Sequence, residues 1–384
     1  MMQFFKFTEE QKMLRKAVRE FVEAEVAPYA HQWDEEDRCP VEMFPKMGEI
    51  GITGVFVPEE YGGAGLGHIE RAICLEEIAR HSAGLAMALM THHLGLATIQ
   101  YYGTEAQKKK YLPELAAGTK MSGLSVTEPG GGSDFAGQKT AGAIKDGKWV
   151  LNGRKCFITN SHTAQVDVVT AVTGTNEKGR PSISAFIIEA GTQGHTPGRK
   201  EHKIGLRGSV TGEVILSDVK LDPDQMLLKE GDGPKIAMNS IGEVGRAGMA
   251  AISVGILRGC LEEGLKFSSE RITYGKPLNK IQAIQFIIAE NRVDYEAAKL
   301  LTYHAASLKD AGISCTTEFS IAKLFATEAA VNASKRTIDL MGGYGCIDEY
   351  PVGRYLRDAI ATIPSGGTSH IQKLVIAGST ISGR

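Results

Sequence analysis

The chain has no paired cysteines. Its six, Cys39, Cys74, Cys156, Cys260, Cys315 and Cys346, are scattered without a CxxC or any metal-ligand spacing, which excludes a zinc ribbon or a disulfide framework and fits a reducing compartment. Neither charge is in marked excess: 43 Lys and Arg stand against 45 Asp and Glu, a formal net charge of -2. With no dense basic stripe to track a phosphate backbone, nucleic acid is not an expected partner. No run approaches the ~20 apolar residues that cross a bilayer, so no membrane span is expected. The opening stretch MMQFFKFTEEQKMLRKAVREF reads as an amphipathic helix, with neither the apolar core of a secretory signal nor the acid-poor, Arg- and Ser-rich character of a transit segment. No internal repeat, low-complexity tract or flexible linker is visible. Together these absences predict a folded cytoplasmic protein.

What remains is ordinary globular composition, 42% hydrophobic and 23% charged over 384 residues, enough for two or three packed units. From Thr8 to about Gly118 apolar residues recur at helical spacing, as in Met13, Val18, Phe21 and Val22, and again in Ala72, Ile73, Leu75 and Ile78. Between Met121 and Asp222 the texture changes to short β-rich runs, at 149–151, 168–172, 185–188 and 213–216, separated by Gly, Asn, Asp and Pro. Helical periodicity returns from Lys235 to Ile376, most clearly over 246–269 and 281–308. The expected class is α+β, with a helical domain over 1–120, a β domain over 121–230 and a helical bundle over 231–384. Such an order assigns no chemistry by itself.

The motifs carry more. Leu124-Ser125-Val126-Thr127-Glu128-Pro129-Gly130-Gly131-Gly132-Ser133-Asp134 reads as a strand breaking into a glycine turn, able to bring N–H groups and hydroxyls close to a planar, oxygen-rich ligand. Taken alone it reads more simply as a hairpin connection. It has company, in order: Phe157-Ile158-Thr159-Asn160, Lys203-Ile204-Gly205-Leu206-Arg207-Gly208-Ser209, Arg271-Ile272-Thr273-Tyr274-Gly275-Lys276, Met341-Gly342-Gly343-Tyr344-Gly345, Glu349-Tyr350-Pro351-Val352 and Arg357-Asp358-Ala359. That series resembles the acyl-CoA dehydrogenase family across nearly the whole chain.

The resemblance implies an N-terminal helical domain, a central β domain and a C-terminal four-helix bundle, assembled as a homotetramer, with FAD between the β domain, the bundle and a neighbouring subunit. It implies that Leu124, Val126, Thr127 and Ser133 line the flavin or the acyl-CoA, and that Phe157 and Thr159 cover the isoalloxazine. Arg271 matches an arginine that reaches the FAD pyrophosphate of the adjacent subunit, a role suited to a planar, permanently charged donor. Gln282, Gly343 and Thr368 match further FAD contacts, while Asp339 stands where a glutamine is usual. Arg246 matches a contact to the CoA moiety, with Glu243 near it; a helix-surface ion pair between the two would also explain them.

One residue breaks the pattern. In the family a carboxylate removes the α-proton of the thioester while hydride leaves the β-carbon for the flavin, and a base and an oxyanion site act together on that weakly acidic C–H. Aligned from Arg357-Asp358 and back from Gly367-Thr368-Ser369, the glutamate position is Gly366; the alternative position, just before the CoA-binding arginine, is Gly245. Gly366 keeps the N–H that the resemblance assigns to the oxyanion site. Two histidines, His92 and His93, fall on the helix matching the distal acyl pocket; one of them facing the substrate would suit proton transfer near neutrality, whereas ordinary core or surface histidines would explain them equally.

The expected function is FAD-dependent dehydrogenation of an unusual acyl-CoA or enoyl-CoA, a cyclic ester foremost, by 1,4-elimination with a non-standard base, the electrons passing to an electron-transfer flavoprotein. Relatives of this kind include alicyclic enoyl-CoA dehydrogenases. The alternatives are lyase or hydrolase chemistry resembling the 3-sulfinopropionyl-CoA desulfinases, and a flavin or acyl-CoA binding protein without turnover.

Overall fold

The computed structural model describes residues 6–383. Its first part is helical: α1 (Glu9–Glu25), α2 (Ala30–Glu35), α3 (Met43–Glu49), α4 (His68–Ala79), α5 (Ala83–Tyr102) and α6 (Glu105–Ala116). Capping boxes start α1 and α6, where Thr8 with Gln11 and Thr104 with Gln107 satisfy each other's free backbone N–H groups. Val18 and Val22 bury the inner face of α1, but Met13 points to solvent. The α5 helix is apolar on all sides and almost wholly buried, as a helix enclosed by other elements must be. The α4 helix begins after Gly67, which has no side chain to cap it; Asp310, far along the chain, instead accepts from the N–H groups of His68 (2.6 Å) and Ile69 (3.0 Å), a carboxylate at the positive end of a helix.

The middle of the chain folds into one eight-stranded sheet. Its strands are β1 (Ser122–Ser125), β2 (Ala141–Lys145), β3 (Lys148–Thr159), β4 (Val166–Thr175), β5 (Pro181–Glu189), β6 (His195–Lys200), β7 (Thr211–Leu221) and β8 (Met226–Leu227). The order is β6-β7-β3-β2-β4-β5-β8, with β1 parallel to β4. Alternate residues of β4 serve two cores: Val166 and Val168 face the helices, whereas Val169 and Ala171 pack with Trp149, Phe186 and Leu216. A strand buried on both faces reads in sequence as an unbroken apolar run.

The last part begins with one continuous helix made of α7 (Gly233–Asn239), a π-helical turn (Ser240–Gly245) and α8 (Arg246–Glu270). This helix, Gly233–Glu270, is long and apolar enough to cross a bilayer by length and composition, but its apolar window is wholly buried inside the protein, as in the core helix of a globular fold. Gly, Ala and Ser spaced along it let neighbouring elements approach closely and dilute the apolar signal. A short hairpin of β9 (Ile272–Thr273) and β10 (Lys276–Pro277) leads to α9 (Gln282–Asp310), α10 (Thr316–Met341), α11 (Val352–Thr362) and α12 (Ser369–Ser382). The α8, α9 and α10 helices pack on one another and α12 lies against α10, while α4 and α5 pack on α8, so a single hydrophobic core runs from the first helices into the bundle.

An ionic cluster sits inside that core. Glu76 and Glu77 of α4 are fully buried. Arg15 bridges both, Arg19 and Arg258 reach Glu77, and Tyr303 (2.6 Å) and Tyr295 (3.1 Å) donate to Glu76. Burial alone would raise the Glu77 carboxyl, but Arg19, Arg258 and Arg15 overcome it and hold it at about 2.

Candidate active site

The Gly366 segment links α11 to α12. Thr368 caps α12 by accepting from the Ile371 N–H (3.4 Å), and Gly366 and Gly367 take φ of +67° and +98°, where a residue with a Cβ is strained. Side chains tether the carbonyls of this turn. Lys323 Nζ donates to Ile363 (2.5 Å) and Gly367 (3.1 Å), and Gln372 Nε2 donates to Gly366 (3.1 Å) and Gly367 (2.9 Å). Lys323 is fully buried, and burial pulls its ammonium down to about 8. Lys323 is not apparent from sequence as a site residue, because it acts on the turn from α10, whereas Gln372 folds back onto the turn from the first turn of α12.

The two glycines that the resemblance puts at the family's base positions lie against each other. A Cβ on Gly366 would lie 3.4 Å from Met249 Cγ and 3.7 Å from both Arg246 N and Gly245 C. A Cβ on Gly245, whose φ is an ordinary helical -66°, would meet Ile241 at 3.8 Å and Leu94 at 3.9 Å. None of these neighbours is an acid or a base.

His92 and His93, expected to offer a proton acceptor, do not. Both are fully buried with both ring nitrogens engaged. His92 Nδ1 accepts from the Ser122 N–H (3.2 Å), which leaves Nε2 to donate to the Leu115 carbonyl (3.1 Å). His93 Nδ1 accepts from Arg71 Nε (3.3 Å), and its Nε2 donates to the Ile52 carbonyl (3.1 Å). Burial keeps both rings neutral, drawing His92 down to about 4 and His93 well below its ordinary value, the latter helped by Arg71. They are core histidines that satisfy backbone groups.

Glu243 and Arg246 do not pair with each other. Glu243 is bound by Lys309, while Arg246 Nη1 donates to Ser320 Oγ (3.1 Å) and its buried Nε has no partner. A buried guanidinium with a free N–H is a group prepared for an external acceptor. Asp348 and Glu349, the other acids of the motifs, line a separate polar cavity of about 250 Å3 with His31, His81 and Arg354.

The glycine turn and the Phe157 strand come together: Thr127 O accepts from the Cys156 N–H (2.9 Å). Leu124 and Val126 are buried, Thr127 is half-buried, and Ser133 is exposed at the turn. Phe157 is 66% exposed at a φ of +56°, in an irregular stretch of β3. An aromatic ring turned outward on a left-handed residue is strain of the kind kept at binding sites. Thr159 is buried, its hydroxyl 3.4 Å from that of Thr211. Under the turn, Glu128 accepts from the N–H groups of Lys139 (2.6 Å) and Thr140 (3.1 Å) and from Lys155 Nζ (2.8 Å), which also holds the Val126 carbonyl (3.1 Å). Lys155 is thus the hidden anchor of the glycine turn; its place two residues before Phe157 was the available signal.

A second patch lies on the bundle. Arg271, Gln282 and Gly343 are exposed, the Arg271 guanidinium stands 5.2 Å from the Tyr344 ring centre, and the space around Gly343 is open. Apolar walls, hydroxyls, an exposed aromatic ring and a free guanidinium form a donor set that fits a flavin dinucleotide.

Three family descriptions match the chain: acyl-CoA dehydrogenase N-terminal domain over residues 8–119, middle domain over 123–219 and C-terminal domain over 231–381. An acyl-CoA dehydrogenase of Bacillus subtilis is 42% identical over 98% of this chain and 99% of its own length. The structure of butyryl-CoA dehydrogenase from Megasphaera elsdenii superposes with a TM-score of 0.95 at 37% identity, covering 99% of this chain and 100% of that one. A glutaryl-CoA dehydrogenase from Mycobacterium smegmatis in complex with FADH2 superposes with a TM-score of 0.92 at 29% identity, over 98% and 96% of the two chains. By sequence along its whole length and by fold, the chain belongs to the acyl-CoA dehydrogenase family of FAD-dependent oxidoreductases.

Proposed function

We propose that this acyl-CoA dehydrogenase acts on an acyl-CoA or enoyl-CoA thioester wider than a straight chain, a cyclic ester foremost, by 1,4-elimination without the family's glutamate. The observation that carries this reading is that Gly366 and Gly245, which lie in contact, bring no carboxylate to either position that the resemblance gives to the family's base. FAD, when bound, supplies the hydride acceptor. Gly366 N–H donates to no protein acceptor among the described residues, so it is available to the thioester oxygen, where a fixed donor stabilises developing negative charge. Lys323 and Gln372 hold the turn that presents it. With both histidines neutral and saturated, neither accepts the proton. Arg246 and Ser133 bind the CoA thioester, with Glu243 beside them in the CoA region.

Thr127, Phe157 and Thr159 contact the flavin of their own subunit, and Arg271, Gln282 and Gly343 the dinucleotide of a neighbour, which makes a homotetramer part of the reading. Exposed apolar residues spaced by seven support that assembly, Phe286, Val293 and Leu300 on α9 and Leu374 and Ile381 on α12, since a continuous stripe of this kind is normally covered. Electrons pass to an electron-transfer flavoprotein, and five buried thiols and one exposed one, none paired, suit the cytoplasm.

The test is anaerobic bleaching of the oxidised flavin band at about 450 nm against straight-chain, branched and cyclic acyl-CoA esters, with product masses recorded. Bleaching with loss of two hydrogens from a cyclic ester is the expected result. Group loss without bleaching would instead establish desulfinase-like chemistry, in which hydrolysis of the carbon–sulfur bond leaves a C–H and releases sulfite, both completed by one water, with no α-proton abstraction. Tight binding with neither outcome would leave a binding protein.

A further inference from the structure

A buried charge lies one helical turn beyond the facing glycines. Arg71 of α4 is 1% exposed and reaches between α5 and α8. Its hydrogen bonds go only to neutral acceptors: Nε donates to His93 Nδ1 (3.3 Å) and Nη2 to the Val244 carbonyl (3.0 Å), and the guanidinium stands 5.9 Å from the Phe56 ring centre. Arg80 and Arg258, also buried, each pair with carboxylates. Arg71 has no carboxylate within ion-pair distance among the described residues, and Nη1 has no hydrogen-bond partner. Burial draws its proton affinity down to about 10, yet it remains a cation at neutral pH.

Its position relative to the reaction end follows from the helix. Val244 immediately precedes Gly245, and a Cβ on Gly248 would lie 2.9 Å from Arg71 Nη2 and collide with Met90 Cγ. Gly248 is three residues beyond Gly245, a rise of ~4.5 Å along the axis. The guanidinium and the Met90 side chain therefore both lie against Gly248, about one turn along the helix from Gly245. Methionine is unbranched and readily changes rotamer. The Val244 carbonyl, at the π turn, needs one of the five guanidinium donors; the rest of the fork is unclaimed except by a neutral histidine. Arginine's fork matches a carboxylate in two parallel hydrogen bonds.

We propose that Arg71 is the anion-recognising residue of the acyl pocket, and that the preferred acyl group, open-chain or ring, carries a carboxylate at the end far from the thioester. Binding turns Met90 aside and gives Arg71 the counter-ion it lacks. This rests on the function proposed above only in taking the Gly366 and Gly245 pair as the reaction end.

The FAD-loaded protein is titrated with succinyl-CoA against butyryl-CoA and with glutaryl-CoA against valeryl-CoA, the visible flavin spectrum giving each Kd. The carboxylate ester is expected to bind at least about tenfold more tightly than its neutral match, with the ratio falling to near one in Arg71→Gln and partly kept in Arg71→Lys. Equal affinities in the unsubstituted protein overturn the proposal without recourse to any variant, and so does a ratio that survives Arg71→Gln. A preference without bleaching by any ester upholds the anion site and overturns the dehydrogenase reading; bleaching by neutral esters with a ratio of one does the reverse.

Discussion

Two regions of the interior handle buried charge in opposite ways. Around Glu76 and Glu77, carboxylates and arginines are matched and tyrosines fill the remaining acceptor positions. Around the Gly366 turn and the π-helical turn beside it, Arg71, Arg246 and Lys323 are buried with no carboxylate partner among the described residues. A matched cluster is complete in the folded chain and resists change; an unmatched set of cations is complete only when something else brings the acceptor. The first holds the protein together and the second gives it work.

Removing one carboxylate from the matched cluster is the strongest way to break this contrast. Glu77→Gln leaves Arg15, Arg19 and Arg258 short of a counter-ion and is expected to cost about 3–5 kcal/mol in denaturant unfolding. The pH dependence has the same origin. Because the folded carboxyl is held at about 2, below its ordinary 4.5, its contribution is fully present above pH 4.5 and is lost as pH falls towards 2. The variant's melting temperature should therefore fall less steeply than the parent's across that window.

Adding a carboxylate to the unmatched region sharpens the contrast. Gly245→Glu keeps a helical backbone, its Cβ in ordinary contact with Ile241 and Leu94, and should raise straight-chain acyl-CoA bleaching by about 100-fold or more, the range of a positioned general base. Gly366→Glu aims at the same volume but must adopt a φ near +67°, a strain of about 1–2 kcal/mol, so its gain should be the smaller of the two. Equal failure of both, in folded and FAD-loaded protein, would show that a base is not what the site lacks.

Lys323→Met removes the donors to the Ile363 and Gly367 carbonyls, at about 1–3 kcal/mol, and should slow bleaching more than it weakens thioester binding. Asp310→Ala, which uncaps α4 outside both regions, should cost about 0.5–2 kcal/mol in thermal unfolding and leave the ratio of cyclic to straight-chain bleaching unchanged.

Patterns local in sequence were readable without the structure. The runs at 149–151, 168–172, 185–188 and 213–216 lie within β3, β4, β5 and β7, and the helical spans at 246–269 and 281–308 coincide with α8 and α9 to within two residues. The glycine turn was equally visible, since a motif fixes it within a few residues. What depends on long-range partners was not. Glu76 and Glu77 look like the polar side of α4, yet their partners come from α1, α8 and α9. His92 and His93 look available until Leu115, Ser122, Arg71 and Ile52 are brought to them. Nothing in the spacing of Gly245 and Gly366 reveals that they meet.

Asp310 has a mechanical consequence beyond its capping role. By gripping the start of α4 from the end of α9, it staples the first helices to the bundle at one end, as the Glu76 and Glu77 cluster does farther along, and a shared core fills the space between. Two helical regions joined in this way have no hinge between them and must open, if at all, as one cooperative unit. Breathing of the pocket is left to the sheet and its loops.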